Sequence, residues 1–545
     1  MSSTTTTEVI ELQPFPSSSL IANTPKHANR LDETHRSVKS ASVFQDAPSP
    51  DALDQPSLSK LQLVLTILQP CVINFFGSYS SGIITVGLPT IASAIALPRS
   101  LYLWPSSVYN LTSGAAVLIA GSVADIIGAR NVEVCGIALL GIFILACGFA
   151  QTGVQLVVFR ALQGIALALH IPASVSIIST AVPPGRARNI GFSCLGLSQP
   201  LGFSFGMVTS GIMIEKIGWR SGFYISAAAI LTAAAGSWFT LPKVKISPED
   251  LNAVGYMKKL GREIDWIGAT IASGGLAMLA YVLAMISADL LVIRSTTTIV
   301  LLAISVTLLI AFPLWMRYRE RRGLSALVPN SLWKNQRFAS ICAVVALSYG
   351  ANNAMTQFSS LYFQEIQNHS ALTASLYTLP SLVVGVCINL TVGIFVDRLP
   401  AGWLVVGSSL LSALSPLMMA LVDPAWKYYY LELWAQILAP LNADVLYTVG
   451  LIIVSDSFPK ETQALAGAVF GTVAMFGTSL GVGICQVITL GVMGGQSDTA
   501  FLENVGDMLK GYRAGFWTMF CLTVCCIVVG VVGLRRTGKV GVKKD

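Results

Sequence analysis

GSVADIIGARN, Gly121 to Asn131, sets Asp125 and Arg130 between glycines where nearly everything around them is Leu, Ile, Val or Ala. The question it raises is what holds two charges there, and the composition frames the answer. Of 545 residues, 54% are hydrophobic and only 11% charged, and the mean hydropathy is positive. No soluble protein of this length has that balance of core to surface, so the chain reads as an all-α polytopic membrane protein. Helix is the reading for its apolar runs because backbone amides facing lipid must be bonded within their own segment unless a barrel closes. The runs lack the alternation of barrel strands.

About 20 apolar residues cross the hydrocarbon once, and about fourteen such segments can be marked, the first beginning near Leu61, the twelfth near Tyr428 and the last near Gly515. With the N-terminus inside, the cytoplasmic loops and C-terminal tail hold 21 Lys and Arg and the outer loops seven. This threefold excess predicts both termini in the cytoplasm. It also accounts for the net charge of +7 without nucleic acid, since the basic residues sit in short loops and not on one continuous face.

Residues 1–57, rich in Ser, Thr and Pro, are expected to form a disordered cytoplasmic tail. The ten cysteines all fall within predicted helices, which excludes a secreted disulfide framework. Asn368-His369-Ser370 is a glycosylation acceptor in a predicted outer loop, whereas the same pattern at Asn110 and Asn389 lies inside helices. No Walker-type phosphate loop, His-Glu-x-x-His or serine nucleophile elbow occurs in a suitable context. An ATP-driven pump or a membrane hydrolase is unsupported, and neither a cofactor nor a metal is expected.

The opening stretch has a partner, GIFVDR, Gly393 to Arg398, eight predicted helices later at the same cytoplasmic end. The fifth helix, with Pro200, Gly202 and Gly206, is echoed eight helices on by Gly467, Gly471, Gly477 and Gly481. If the seventh and eighth helices are an inserted pair, six plus six remain, the internal repeat of secondary transporters. The expected division is a six-helix bundle over 58–242, loops and two inserted central helices over 243–336, a second bundle over 337–536 and a cytoplasmic tail over 537–545.

On these stretches the sequence resembles the major facilitator superfamily, and the helix count points to its fourteen-span drug:proton antiporter branch. GSVADIIGAR matches the family's loop motif at Gly121, Ala124, Asp125, Gly128 and Arg130 and departs from it at Ile126 and Ala129. LVVFRALQGIALA, Leu156 to Ala168, matches the fourth-helix motif with Arg160, Gln163 and Gly164, while GLSQPLGFSFG, Gly196 to Gly206, resembles the fifth-helix antiporter motif loosely, with Gln199 where glycine is usual. SQPLGFSFG, DWIGA (Asp265 to Ala269) and GIFVDRLPAGW are similar to fungal members, including toxin and metabolite exporters and the aminotriazole and borate resistance proteins.

The resemblance implies that Asp125 faces the positive N-terminus of the thirteenth helix near Ala464. The repeat implies the reciprocal contact of Asp397, beside Arg398, with the fifth helix near Ile190. These contacts would latch the cytoplasmic side; the plainer reading is a solvated loop charge. Arg160, within a span, costs about 2.5 to 3.5 kcal/mol even on a lenient insertion scale and should face the bundle interior. It takes part in proton coupling on the family reading and ties backbone carbonyls on the other. Asp444 in the twelfth helix is the clearest acid within a span. Protonation of a carboxylate responds to desolvation and nearby cations, as antiport requires, although a structural bond to Asn442, Tyr447 or Thr448 is equally open. Glu432 is read as solvated near the outer end. Aligning on Leu88-Pro89 puts Ser80 where many antiporters carry a first-helix acid; His170 can titrate in its stead or simply be packed and neutral. Asn74, Phe75, Phe76 and Tyr79 on the first helix and Tyr349, Asn352, Asn353 and Gln357 on the ninth offer an aromatic surface with a few polar groups, suited to amphipathic organic molecules or to helix packing.

The resulting expectation is a monomeric plasma-membrane exporter, multi-pass in the bilayer, that moves a small organic compound outward in exchange for protons by alternating access. Vacuolar residence stays open. The alternatives are a same-fold importer or facilitator of a nutrient or small inorganic acid such as borate, and a non-transporting membrane sensor.

Overall fold

The computed structural model describes residues 60–182, 186–241, 264–288, 290–324, 326–395, 400–458, 460–493 and 505–535. In chain order they form α1 (Lys60–Ala94), α2 (Trp104–Ile127), α3 (Ala129–Phe149), α4 (Gly153–Ala181), α5 (Arg186–Lys216), α6 (Arg220–Thr240), α7 (Trp266–Ala288) and α8 (Thr296–Arg321). The series continues with α9 (Gln336–Glu365), α10 (Ala371–Phe395), α11 (Ala401–Leu421), α12 (Glu432–Leu438), α13 (Leu441–Ser457), α14 (Lys460–Met493) and α15 (Val505–Gly533). No strand occurs among the described residues. Among the described residues, twelve segments, with α12 and α13 taken as one, are long and apolar enough to cross a membrane. The expected fourteen would add α2 and α5, which are helical over 24 and 31 residues but are not among those twelve. The expected 1–57 tail lies outside the described residues.

Local chemistry starts the helices. Thr152, Ser295 and Asn335 stand at the N-caps of α4, α8 and α9 and accept the amides of Gln155, Thr298 and Arg337, satisfying donors that the first turn leaves without intrahelical partners. Two expected boundaries move. The last span begins at Val505, ten residues before Gly515, because its first turns carry Asp507, Lys510 and Arg513 and so escape an apolar reading. The twelfth begins at Glu432 and is broken at Ala439–Pro440, where proline has no amide to donate; Ser412 Oγ donates to the Ala439 carbonyl at 3.0 Å.

The packing repeats with an offset of eight spans. α1 packs on α5 as α9 packs on α14, α3 on α6 as α11 on α15, and α2 on α4 as α10 on α12 and α13. Between the halves, α2 packs on α14 and α5 on α10. The glycine echo is the cause of the tightest crossings. A Cβ at Gly202 or Gly206 would run into the α1 backbone at Phe75 or Tyr79, and one at Gly477 or Gly481 into the α9 backbone at Ala346 or Gly350. Small residues let backbones approach where lipid gives no hydrophobic drive.

α7 and α8 pack on each other and, through α7, on α2 and α14. Asp265 of the DWIGA stretch clasps this hairpin. It accepts the Gly268 amide at 2.9 Å and the Trp315 indole Nε1–H at 3.1 Å, and pairs with Arg319 at 3.5 Å.

Candidate functional site

Arg160 is fully buried inside the first half. Its Nε donates to the Pro105 carbonyl at 3.0 Å, Nη1 to Gln163 Oε1 at 2.9 Å and Nη2 to Ser81 Oγ at 3.1 Å, and the guanidinium lies 4.2 Å from the Tyr109 ring centroid. Gln163 Nε2 donates to Ser80 Oγ at 2.8 Å, and that hydroxyl also lies 3.5 Å from Arg160 Nη1. No carboxylate pairs with Arg160 among the described residues. Ser80, the place of the absent first-helix acid, is thus where such an acid would meet this cation. Gly164 sits where a Cβ would strike Thr112 and the Tyr109 carbonyl of α2, and this crossing brings Tyr109 under the guanidinium.

His170 faces α3. Its Nδ1 lies 2.9 Å from Glu133 Oε1, both side chains are buried, and His170 Nε2 and Glu133 Oε2 bond to nothing else among the described residues. The sequence reading passed over Glu133, although an acid one turn into an apolar run was the available signal.

The residues proposed for the cavity separate into two kinds. Asn74 Nδ2 donates to the Leu195 carbonyl at 3.1 Å and to Ser198 Oγ at 3.0 Å, while Tyr79, nearly buried, accepts from Thr209 Oγ1 at 2.8 Å. Both tie α1 to α5, and Asn353 ties α9 to α14 through Thr478 Oγ1 at 3.5 Å. Phe75 and Phe76 stack edge-on at 5.2 Å and stay half-buried. Asn352 lines a cavity inside the second half with Ser348, Ser412, Ser415, Asn442 and Thr523. Gln357 is buried with Oε1 unbonded among the described residues.

Asp444 leans on Gly385 of α10 and takes a hydrogen bond from the Asn389 side chain. Tyr349 stands beside it, 6.1 Å from Tyr447 between ring centroids. No cation pairs with Asp444 among the described residues. The reading of Glu432 as solvated is overturned. Glu432 is 1% exposed and accepts a hydrogen bond from Gln367 Nε2 at 2.6 Å, because the α9–α10 connection folds over the helix end.

The halves are joined by side-chain bonds at one end, where α1 and α9 finish. Ser360 Oγ donates to the Thr85 carbonyl at 3.2 Å and Gln364 Nε2 to the Val86 carbonyl at 3.0 Å. Arg99 pairs with Glu365 at 3.3 Å; Glu365 also accepts from Tyr512 OH at 2.8 Å, and Gln486 Nε2 donates to the Arg99 carbonyl at 3.2 Å. The sequence reading missed this group, since Arg99 and Glu365 fall at helix ends and look like loop charges.

At the other end, Gly128 closes α2 with a φ of 98°, a conformation that favours glycine. Gly121 lies in ordinary contact with Pro172 of α4. Arg130 caps α6 by donating from Nε to Leu241 O at 3.0 Å and from Nη2 to Trp238 O at 2.6 Å, a favourable place for a cation. The side chain of Asp125, the surroundings of Gly393, and Asp397 and Arg398 lie outside the described residues. Pro200 lies inside α5, its carbonyl accepting from Ser204 Oγ at 2.7 Å. Asn368 is exposed between α9 and α10.

Residues 71–254 match the profile of the Major Facilitator Superfamily. The chain is 36% identical over 525 residues to "MFS-type transporter 1" of Pyricularia oryzae, covering 89% of this chain and 85% of that one. It is 25% identical over 417 residues to the "Low affinity ammonium transporter" of Saccharomyces cerevisiae, covering 76% and 77%. It is 24% identical over 455 residues to "Efflux pump terJ" of Aspergillus terreus, covering 83% and 84%.

Proposed function

The chain belongs to the major facilitator superfamily, and from that premise we propose that it exports a small organic compound in exchange for protons by alternating access. The observation that carries the reading is the arrangement of bonds between the halves. Every described side-chain hydrogen bond or ion pair that joins residues 60–241 to residues 336–533 lies at the end where α1 and α9 finish. Two bundles whose described residues are tied by side chains at this end are suited to rock about it. The excess of Lys and Arg in the opposite loops makes the bonded end the outer one, with both termini cytoplasmic. The division into bundles over 58–242 and 337–536, the fourteen spans, plasma-membrane residence and a monomeric state belong to the same proposal.

The roles follow from burial and charge. Asp444 exchanges the proton, since it is an acid within a span with no cation among the described residues to fix its charge. Arg160 holds the first bundle's polar core, and its state follows the movement of α1 and α4. Asp125 and Asp397 latch the cytoplasmic end in the outward-open state. Phe76, Tyr349 and Gln357 supply substrate contacts. Outward transport is supported by the likeness to an efflux pump; the likeness to an ammonium transporter supports import by the same fold as the second reading.

The test is accumulation of labelled aminotriazole, borate and cationic dyes in cells with and without the protein, with and without a protonophore. Export predicts lower accumulation that the protonophore abolishes and that Asp444→Asn removes at equal surface expression. Raised accumulation would favour import, and movement indifferent to the gradient would sink antiport.

A further inference from the structure

Five buried polar atoms gather at the outer end of the second half without a hydrogen bond among the described residues. They are Glu432 Oε2 and Gln436 Nε2 of α12, Tyr362 OH of α9, Gln367 Oε1 of the α9–α10 connection and Arg513 Nε of α15. Folded proteins leave only a few such atoms per hundred residues, so a carboxylate oxygen with four others grouped near it calls for a physical account. The grouping is tight. Gln367 Nε2 bonds Glu432 Oε1 at 2.6 Å, Gln436 stands one turn along α12, and Tyr362 lies within electrostatic reach of both Glu432 and Arg513. Below Ala439, one turn past Gln436, the helix break opens on a small cavity lined by Ser348, Asn352, Ser412, Ser415, Asn442 and Thr523. Ser348 Oγ and Ser415 Oγ there are also unbonded among the described residues.

We propose that Glu432 is a second proton-binding carboxylate, set within the second bundle apart from the cleft between the bundles and loaded from the outer side through water held by Tyr362, Gln367, Gln436 and Arg513. The proposal rests on the proton-coupled reading above. The donor set identifies the ligand. A metal ion or ammonium would face Gln436 Nε2–H and the Arg513 cation, which repel it. Water serves donors and acceptors alike and needs two to four polar partners, and a proton needs only one carboxylate oxygen. The titratable groups within electrostatic reach of Glu432 are Tyr362 of α9 and Tyr428 of the α11–α12 connection, and Tyr362 in turn reaches Asp423 of that connection and Arg513 of α15. α10 adds Tyr377, stacked on Tyr428 at 4.0 Å, and α11 has no titratable side chain. Hydronium in the outer water gives a proton to Glu432 Oε2 and leaves as water; the neutral acid later returns that proton to water in the cavity at the break. Asp444 lies further along the same span, beyond the break, so one span carries both acids.

Acid-minus-alkaline infrared difference spectra of the purified full chain test this without a substrate. Glu432→Gln, which keeps the shape and the Gln367 contact, should lose one carboxylic-acid carbonyl band. Glu432→Asp should keep a band with a moved midpoint, and Asp444→Asn should remove a different one. Parallel transport of the responding compound should lose its dependence on a pH gradient in Glu432→Gln and keep substrate exchange. A Glu432→Gln spectrum identical to wild type, or a wild-type pH profile in that variant, overturns the proposal. Wild-type transport indifferent to a pH gradient overturns the antiport reading separately, and the band then still decides whether Glu432 binds a proton.

Discussion

Arg160 is bonded to a backbone carbonyl of α2, to hydroxyls of α1 and to Gln163 on its own helix, and it lies on the Tyr109 ring. The planar fork serves these partners at once, and a lysine ammonium cannot, since it has one nitrogen and no plane to stack. Breaking one side of a buried charged network costs about 3 to 5 kcal/mol. Arg160→Lys keeps the charge and loses the geometry, and it is expected to cut transport at least about tenfold, the effect of some 1.4 kcal/mol. Initial rates at matched surface expression check this. Wild-type rates in Arg160→Lys would reduce the residue to a bare charge. The sequence showed that Arg160 had to face inward, because a charge within a span has nowhere else to go. It did not show Ser80 and Gln163 converging on it, since that requires the register of α1 against α4.

Twelve of the spans were legible because apolar length decides them; α2 and α5 are helical but are not among those twelve. What escaped was set by polar chemistry inside apolar runs. The first turns of α15 hide behind Asp507, Lys510 and Arg513, and the break between α12 and α13 turns on the missing amide of Pro440. Glu432 is covered by a connection, through Gln367, that sequence spacing cannot place. The glycine echo was visible, but which glycines mattered was not. Gly477 and Gly481 sit against the α9 backbone, while Gly467 and Gly471 have nothing within 4 Å. Overpacking at such a crossing costs about 1 to 3 kcal/mol. Gly206→Val and Gly481→Val are therefore expected to lower the thermal unfolding midpoint in detergent by several degrees, about 2 to 4 °C per kcal/mol or less for a chain this long. Gly467→Ala should leave it unchanged. Equal midpoints in all three would mean that the crossings yield freely.

At the scale of the whole molecule, the repeat gives two halves with matching internal packing, and among the described residues their side-chain bonds to each other lie at one end. On the proposed mechanism, the Arg99–Glu365 pair, its Tyr512 and Gln486 partners and the Ser360 and Gln364 bonds to the α1 backbone part when the site opens at this end. Ion pairs near a surface contribute only about 0 to 1 kcal/mol each, so the closure is easily reversed. A covalent link at the same place should not be. Ser360 Oγ already touches α1 by donating to the Thr85 carbonyl at 3.2 Å, which makes these two positions the place to try a disulfide. Thr85→Cys with Ser360→Cys, in a background lacking the exposed Cys135, Cys194, Cys387, Cys521 and Cys525, is expected to cross-link on mild oxidation and stop transport. Reduction should restore it. The gel mobility of the chain cut by protease between the halves reports the link independently of activity. A fully linked protein that still transports at the unlinked rate would show that substrate passes without parting α1 from α9, and rocking about that end would be the wrong mechanism for this chain.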